Sequence, residues 1–303
     1  MNPSYITFVG IGAIGLPMAT LLQQAGHQVH AIDPSPMGES HSAQAGLAGW
    51  SPSITATETG GVVVVMVATP DQLGALVDEA LLDPVRMVTD RTWIIMSTVG
   101  PASVTHETER LAAAGARVID APVTGGVARA LTGELLIFAA GALPTISPVE
   151  PLLEVLGRVT IVGERIGDGQ KVKVVNQHLC AIHIVAAAEA LNLADAMGLD
   201  PSAVLGLVEA GAGGSWMLSD RGPRMLLSTD APVTSTVGIF VKDSALAAAA
   251  AAAGAAVPLL DVAQFRFREA AAVGLALRDD SRVIETYTAV PAPLLAAEEG
   301  ALR

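Results

Sequence analysis

The sequence predicts an α/β protein in two parts, a doubly wound parallel sheet over residues 1–164 followed by an all-helical domain over residues 165–303. Three observations predict it. Short Val- and Ile-rich runs alternate with amphipathic stretches up to about Gly163; the runs are continuously apolar, as in Val62–Val67; and after Gly169 the strand signals stop. Continuously apolar strands belong to a parallel sheet covered on both faces, because a strand with one wet face alternates apolar and polar residues. The length points the same way, since single cores stop growing near about 250–300 residues.

In chain order, strands are expected at Tyr5–Val9, Val29–Asp33, Val62–Val67, Trp93–Ser97, Arg117–Asp120, Glu134–Ala139 and Val159–Val162. The second half opens with an Ala- and Leu-rich helix, Gln170–Met197, closed by Gly198 as helices often are. At about 28 residues and roughly 42 Å it is expected to run through the middle of its domain and to carry a subunit contact. Later helices are expected from Pro201, from Gly213–Ser215, and over Lys242–Ala256, Pro258–Leu277 and Arg282–Tyr287.

Composition narrows the function. With 17 basic and 30 acidic residues the formal net charge is −13, which repels phosphate polymers and anionic lipid surfaces, so neither nucleic acid nor membrane is an expected partner. The single cysteine, Cys180, excludes an internal disulfide and a cysteine-built metal site, and a reducing cytoplasm fits it best. No signal peptide is read at Met1–Thr7, and Val62–Ala68 and Ala245–Ala256 are too short or too broken to span a bilayer. The six histidines lack the spacing of ligands, so no metal is expected.

The first strand runs into Gly10-Ile11-Gly12-Ala13-Ile14-Gly15, a helix follows, and a second strand ends at Asp33. In that context the glycines read as a dinucleotide site: one for the tight turn, one for backbone approach to a pyrophosphate, one for helix–strand packing, with free N–H groups at the helix start. A lone triplet would equally mark an ordinary tight turn. Asp33, about 18 residues past the last glycine, is placed to accept both ribose hydroxyls and to repel a 2′-phosphate. No arginine follows closely, so NAD is expected over NADP.

Two segments carry the remaining polar signals. Asp120-Ala-Pro-Val-Thr-Gly-Gly126 ends a strand in consecutive glycines, whose N–H groups can grip a carboxylate as a backbone nest does. Lys173, Asn176 and Gln177 fall at i, i+3 and i+4, on one face of the long helix. A desolvated lysine there can donate or accept the proton that accompanies hydride transfer. Spacing alone is as compatible with Lys171 and Lys173 being solvated first-turn residues.

These segments together resemble the β-hydroxyacid dehydrogenases, the group that includes 3-hydroxyisobutyrate dehydrogenase, tartronate semialdehyde reductase and L-threonate dehydrogenase. The glycine start, Ser97-Thr98-Val99-Gly100-Pro101, the Asp120–Gly126 run, the Gly167–Gln177 run and Phe240-Val-Lys242-Asp243 occur in family order over nearly the whole chain. The resemblance implies a Rossmann domain and a helical domain with substrate in the cleft between them, and direct hydride transfer to or from a small hydroxy acid such as 3-hydroxyisobutyrate, glycerate or threonate. It implies catalysis by Lys173 with Asn176, and substrate contacts from Thr124, Gly125, Gly126 and Gln177. It places Thr98 and Lys242 beside the nicotinamide and the Val67-Ala68 backbone along the cofactor. A homodimer or homotetramer is expected.

Departures from the family pattern mark the substrate end. Thr124 stands where serine is usual, Gln177 replaces a common asparagine, and Gly238 replaces a polar residue, which would open a pocket wall. Ser215-Trp216-Met217 with Ile239-Phe-Val-Lys-Asp243 looks most like the L-threonate branch, although Trp216 and Met217 are read as core packing in preference to substrate contacts. Asp120 and Glu189 are read as structural, and Arg221, Arg224, Arg266 and Arg268 as solvating helix surfaces. The rival functions are an imine reductase, which Lys173 argues against, and a non-catalytic dinucleotide-binding scaffold.

Overall fold

The computed structural model describes residues 4–56, 60–227 and 231–288. The chain divides into two compact units, Met1–Gln177 with Ala249–Gly254, and His178–Ala248 with Ala255–Arg303.

The first unit is built in strand–helix steps: β1 (Tyr5–Val9), α1 (Gly15–Gln24), β2 (Gln28–Ile32), α2 (Gly38–Gln44), β3 (Gly49–Ser51), β4 (Val62–Val65), α3 (Pro70–Ala80), α4 (Pro84–Met87), β5 (Thr92–Ile95), α5 (Pro101–Ala113) and β6 (Arg117–Asp120). These six strands lie parallel in the order β3-β2-β1-β4-β5-β6. The order reverses between β1 and β4, and in open sheets of this kind ligands bind at such a switch point, past the carboxyl ends of the strands. The sheet continues through β7 (Val123–Thr124), α6 (Gly126–Thr132), β8 (Leu135–Ala140), α7 (Leu143–Ile146), α8 (Glu150–Glu154) and β9 (Gly157–Gly163). Here the expectation of a purely parallel sheet fails: β8 runs antiparallel to β6 and β7, and parallel to β9. The chain between β6 and β8 carries β7 and the helix α6, and β8 returns against both β6 and β7 in the reverse direction. The sequence reading also missed β3 and β7, which are too short to show a periodicity.

Alternation along the strands explains the layers. Val64 and Ile94 face one side and pack with Met18, Ala19 and Leu22 of α1; Val63, Val65, Trp93 and Ile95 face the other and pack with Leu73 and Val77 of α3 and with Val104 and Leu111 of α5. Each fully buried side chain of this kind contributes about 1.5–3 kcal/mol by leaving water. Both faces are therefore covered, which is why these strands read as unbroken apolar runs.

The long helix α9 (Asp168–Ala196) begins two residues before its expected start and carries the boundary between the units. Of the described helices it alone has the length and mean hydropathy, 1.4 over its apolar window, of a membrane-crossing segment, with 44% of that window buried. A core helix passes the same test, and Gln170, Lys173 and Gln177 are buried along its first turns.

The second unit continues with α10 (Pro201–Glu209), α11 (Trp216–Met225), α12 (Val237–Ala251), α13 (Pro258–Ala270) and α14 (Glu285–Thr288). Two expected boundaries shift. The helix expected from Lys242 starts at Val237, and the one expected to reach Leu277 leaves α-geometry at Ala271, where Gly274 takes φ +92°. Two of the arginines also correct the sequence reading. Arg221, 6% exposed, lies 2.9 Å from the fully buried Asp280, and Arg224 pairs with Asp279 at 3.1 Å, while Asp220 meets both arginines. Buried charges need such partners, because an unpaired one would lose its hydration with nothing in return. Arg266 is half-buried and stacks 4.2 Å from the Tyr287 ring, and only Arg268 is exposed as expected.

Candidate active site

The glycine turn shapes the end of a pocket of about 570 Å³ lined by Gly10, Gly12, Asp33, Ser35, Val67 and Ala68 together with residues of α3. A Cβ at Gly15 would overlap the Gly10 carbonyl, so only glycine lets α1 start so close to β1. A Cβ at Gly12 would meet nothing within 4 Å, which leaves the backbone open to a ligand. The N-terminus of α1 receives no side-chain cap, so its N–H groups suit a phosphate. Ile11, Ala13 and Ile14 carry the turn; Ile11 is buried and Ala13 exposed. These features fit a dinucleotide.

Asp33 sits at the carboxyl end of β2, half-buried. Its Oδ2 accepts the Ile11 N–H at 2.9 Å and its Oδ1 the Ser35 N–H at 2.8 Å. A carboxylate has about four acceptor positions, so two remain for ribose hydroxyls while the backbone holds the group in place. Gln72 of α3 also lines the pocket. Thr69 caps α3 by accepting from the Gln72 N–H, and the Gln72 side chain accepts from the backbone of Ala68 at 2.8 Å and of Thr69 at 3.3 Å. This capping box fixes the Val67–Ala68 segment at the pocket rim. Its signal in the sequence is Thr69-x-x-Gln72. Glu79, further along α3, also lines the pocket and accepts from Ser53 and Thr55.

The second group of residues gathers where β7 ends and α9 begins. Lys173 and Gln177, 6% and 7% exposed, lie one turn apart, and the Lys173 Nζ donates to Gln177 Oε1 at 2.8 Å. The same oxygen accepts from Asn176 Nδ2 at 2.9 Å, and Asn176 Nδ2 reaches Thr124 Oγ1 at 3.3 Å. Accepting from Asn176 leaves the Thr124 hydroxyl its proton to donate. Beside it, Gly125 and Gly126 take φ +136° and +70°, a conformation side chains disfavour, and a Cβ at Gly126 would meet nothing within 4 Å. Thr124, Gly125, Gly126, Lys173, Asn176 and Gln177 thus form one polar cluster inside the first unit, combining hydrogen-bond donors suited to an anion with a buried amine.

Next to this cluster in the chain stands Asp120, read as structural from the sequence, with a partner, Gln170, to which the sequence reading gave no role. Asp120 is fully buried; its Oδ2 accepts the N–H groups of Gly167 and Gln170, each at 3.0 Å, and its Oδ1 accepts Gln170 Nε2 at 3.0 Å. It thereby caps the start of α9 from a different strand, where a negative charge is favoured. Burial pushes its carboxyl up to about 6, against the pull of the hydrogen bonds from Gln170 and Gly167. Gln170 was not singled out at all; a polar residue three positions before Lys173 in an apolar helix was the available signal.

Thr98 is half-buried on the segment after β5, whose neighbouring N–H groups bond to Gln170. In the second unit, Lys242 lies on α12 with its ammonium 3.0 Å from Asp243. Gly238 does not open a wall: its N–H donates to Ala276 O at 2.9 Å, and a Cβ would come within 3.0 Å of that oxygen. Met217 packs in the core as expected, whereas Trp216 is 46% exposed beneath the Arg221 guanidinium. Among the described residues there is no cluster of three or more metal-ligating side chains.

Two family models match. One, described as the NAD binding domain of 6-phosphogluconate dehydrogenase, covers residues 5–164; the other, described as NAD-binding of NADP-dependent 3-hydroxyisobutyrate dehydrogenase, covers residues 167–287. The chain is 35% identical over 293 residues to the L-threonate dehydrogenase of Cupriavidus necator, covering 95% of this chain and 97% of that protein. It is 32% identical over 263 residues to the 3-hydroxyisobutyrate dehydrogenase of Pseudomonas aeruginosa, covering 84% and 88%. Among solved structures, a 3-hydroxyisobutyrate dehydrogenase from Salmonella typhimurium superposes with a TM-score of 0.84 at 29% identity, covering 93% of this chain and 99% of that one.

Proposed function

The chain belongs to the β-hydroxyacid dehydrogenase family of NAD(P)-binding oxidoreductases, and on that premise we propose that it oxidises a small polyhydroxylated acid of the threonate class, with NAD as hydride acceptor and Lys173 as proton carrier. The observation that carries the proposal is the Lys173–Gln177–Asn176–Thr124 chain of hydrogen bonds. Gly125, Gly126 and the Thr124 hydroxyl donate to the substrate carboxylate. Asn176 and Gln177 orient the amine and offer amide groups to further hydroxyls; the reach of Gln177 favours an aldonate over a shorter acid. In its neutral form Lys173 takes the hydroxyl proton as the carbonyl forms, and it returns that proton in reduction. The Gly10–Gly15 turn, Asp33 and the Val67–Ala68 backbone hold the dinucleotide, with Thr98 toward its nicotinamide. The cofactor supplies the hydride acceptor or donor.

NAD is favoured over NADP because the Asp33 carboxylate at the ribose end repels a 2′-phosphate. The L-threonate dehydrogenase and the 3-hydroxyisobutyrate dehydrogenase that the chain matches above 30% identity support this chemistry over imine reduction; the buried Lys173 and the half-buried Asn176 support an enzyme over a silent scaffold. The exposed apolar face of α9, with Val175, Leu179 and Leu193 at helical spacing and Met197 just past its end, favours a second copy of the chain, since two molecules of net charge −13 associate best through an uncharged stripe. Sedimentation as a monomer would remove that part of the proposal. Purified protein supplied with threonate, glycerate and 3-hydroxyisobutyrate, each with NAD and with NADP, tests the reaction: fastest reduction of NAD with threonate is expected, and turnover of none of these acids overturns the assignment.

A further inference from the structure

Gln170 is fully buried, and three of the four hydrogen bonds of its side chain are to backbone groups, which set their polarity. Its Oε1 accepts the N–H groups of Val99 at 3.1 Å and Gly100 at 3.0 Å. Those are donors only, so the amide cannot flip without placing donor against donor. Its Nε2 therefore points to Ser97 O at 2.9 Å and to Asp120 Oδ1 at 3.0 Å. Asp120, met by a donor there and by two backbone donors at its other oxygen, must accept on both sides. The polarity runs unbroken from one loop, through Gln170, to the end of β6 and back to the first turn of α9.

Each of the three segments tied together carries a site residue within a few positions. Thr98 lies between Ser97 and Val99, Thr124 follows Asp120 by one short strand, and Lys173 follows Gln170 by three positions, on the same helical face. We propose that Gln170 is a positioning residue: its amide locks the Ser97–Gly100 segment, Asp120 and the start of α9 in one register, and so sets where Thr98 and Lys173 stand. This assignment rests on the reading of Lys173 as proton carrier. A space-filling role would ask only for a side chain of similar volume; positioning asks for an acceptor and a donor at defined ends.

Gln170→Glu separates the two roles. It keeps shape and the acceptor facing Val99 and Gly100, but turns a second acceptor onto Ser97 O and Asp120. The charged groups around it are Asp120 on β6 and, on its own helix, Lys173 and Asp168, the last paired with Lys171 at 2.8 Å. When the new carboxyl is protonated it becomes a donor and the register returns; when ionised it faces Asp120. Asp120→Asn added to Gln170→Glu reverses the pair: the amide introduced on β6 donates to the carboxylate introduced on α9, while its carbonyl still accepts from the backbone N–H groups that hold Asp120 in the wild type.

The experiment measures kcat and the KM for NAD, relative to wild type, for Q170E and for D120N/Q170E, with thermal unfolding of each recorded alongside. For Q170E near pH 8 a loss in kcat of about tenfold to a hundredfold is expected, as for one or two mismatched buried hydrogen bonds. That loss is expected to shrink as the pH is lowered to about 6, where a carboxyl crowded by another carboxylate takes up a proton. The double variant is expected to regain most of the loss and to lose the added pH dependence. A Q170E enzyme with lowered thermal stability but wild-type kcat at every pH overturns the proposal, as does a double variant no better than the single one. Should Q170E not fold, the double variant decides alone: kcat within about tenfold of wild type supports positioning, and a deeper loss overturns it. Wild-type protein inactive on all the hydroxy acids removes the reading of Lys173 and this assignment together, whereas an active wild type with a pH-independent Q170E removes this assignment alone.

Discussion

The side-chain oxygen of Gln177 accepts a hydrogen bond from the Lys173 ammonium 2.8 Å away, one turn earlier on the same helix. The oxygen is also held by Asn176 at 2.9 Å, so the acceptor that aims the lysine is itself aimed. The amide is neutral, and it orients the amine without adding a carboxylate beside it.

Removing the amine tests the centre of the proposal. Lys173→Ala is expected to lower kcat by about a hundredfold to ten-thousandfold, the usual contribution of a positioned acid/base group. NADH binding, followed by its fluorescence, is expected to be unchanged, because the glycine turn and Asp33 are untouched. An unaltered kcat would show that another group moves the proton.

Replacing the neutral acceptor by a charged one tests the orientation. Gln177→Glu retains an acceptor for both Lys173 and Asn176 but stabilises the ammonium form of the lysine. The alkaline rise of kcat for alcohol oxidation, which needs the neutral amine, is expected to move up by about one pH unit or more. A pH–rate profile superimposable on that of wild type would separate Gln177 from the reacting lysine.

Asp33 sets cofactor choice in this reading. Asp33→Ser removes the charge that faces a 2′-phosphate, and the ratio of kcat/KM with NADP to that with NAD is expected to rise by about tenfold to a hundredfold, roughly 1.4–2.7 kcal/mol of relieved repulsion. Affinity for both cofactors is expected to fall, because the Ile11 and Ser35 N–H groups lose their acceptor. A wild-type enzyme faster with NADP would defeat the assignment before any variant is made.

The buried Asp120 makes stability depend on pH in an unusual direction. Burial raises its pKa from 3.8 to about 6 in the folded protein, so the folded state holds this proton more tightly than the unfolded chain. The contribution to stability is fully present below about pH 4 and is lost as the pH rises through about 6, by about 3 kcal/mol at most. Asn at this position does not titrate, so the difference in unfolding free energy between wild type and Asp120→Asn is expected to decrease across that window in denaturant titrations. A difference that is constant with pH rules out the linkage.

Much of the fold could be read along the chain because its signals are local. Val62–Val65 is apolar throughout since both faces of the sheet are covered, and the glycine turn is spelled out within six residues. The polar members of the site, Lys173, Asn176 and Gln177, were visible as one helical face. Harder to read were elements whose cause lies elsewhere: the antiparallel β8, whose direction shows only in its pairing with β6 and β7, and the early start of α12, whose first residues look like any apolar run.

By itself the sequence determined the doubly wound first unit, the helical second half, the dinucleotide turn and the candidate lysine, because periodicity, helical spacing and glycine geometry act over a few residues. Only the tertiary structure decided that Gln170 and Asp120, 50 residues apart, share a hydrogen bond, and that Arg221 is buried against Asp280, 59 residues away, instead of solvating a helix. The physical reason is the same in both cases. A buried polar group is tolerated only with its partner, and that partner is chosen by where the folded chain returns, which no local pattern records.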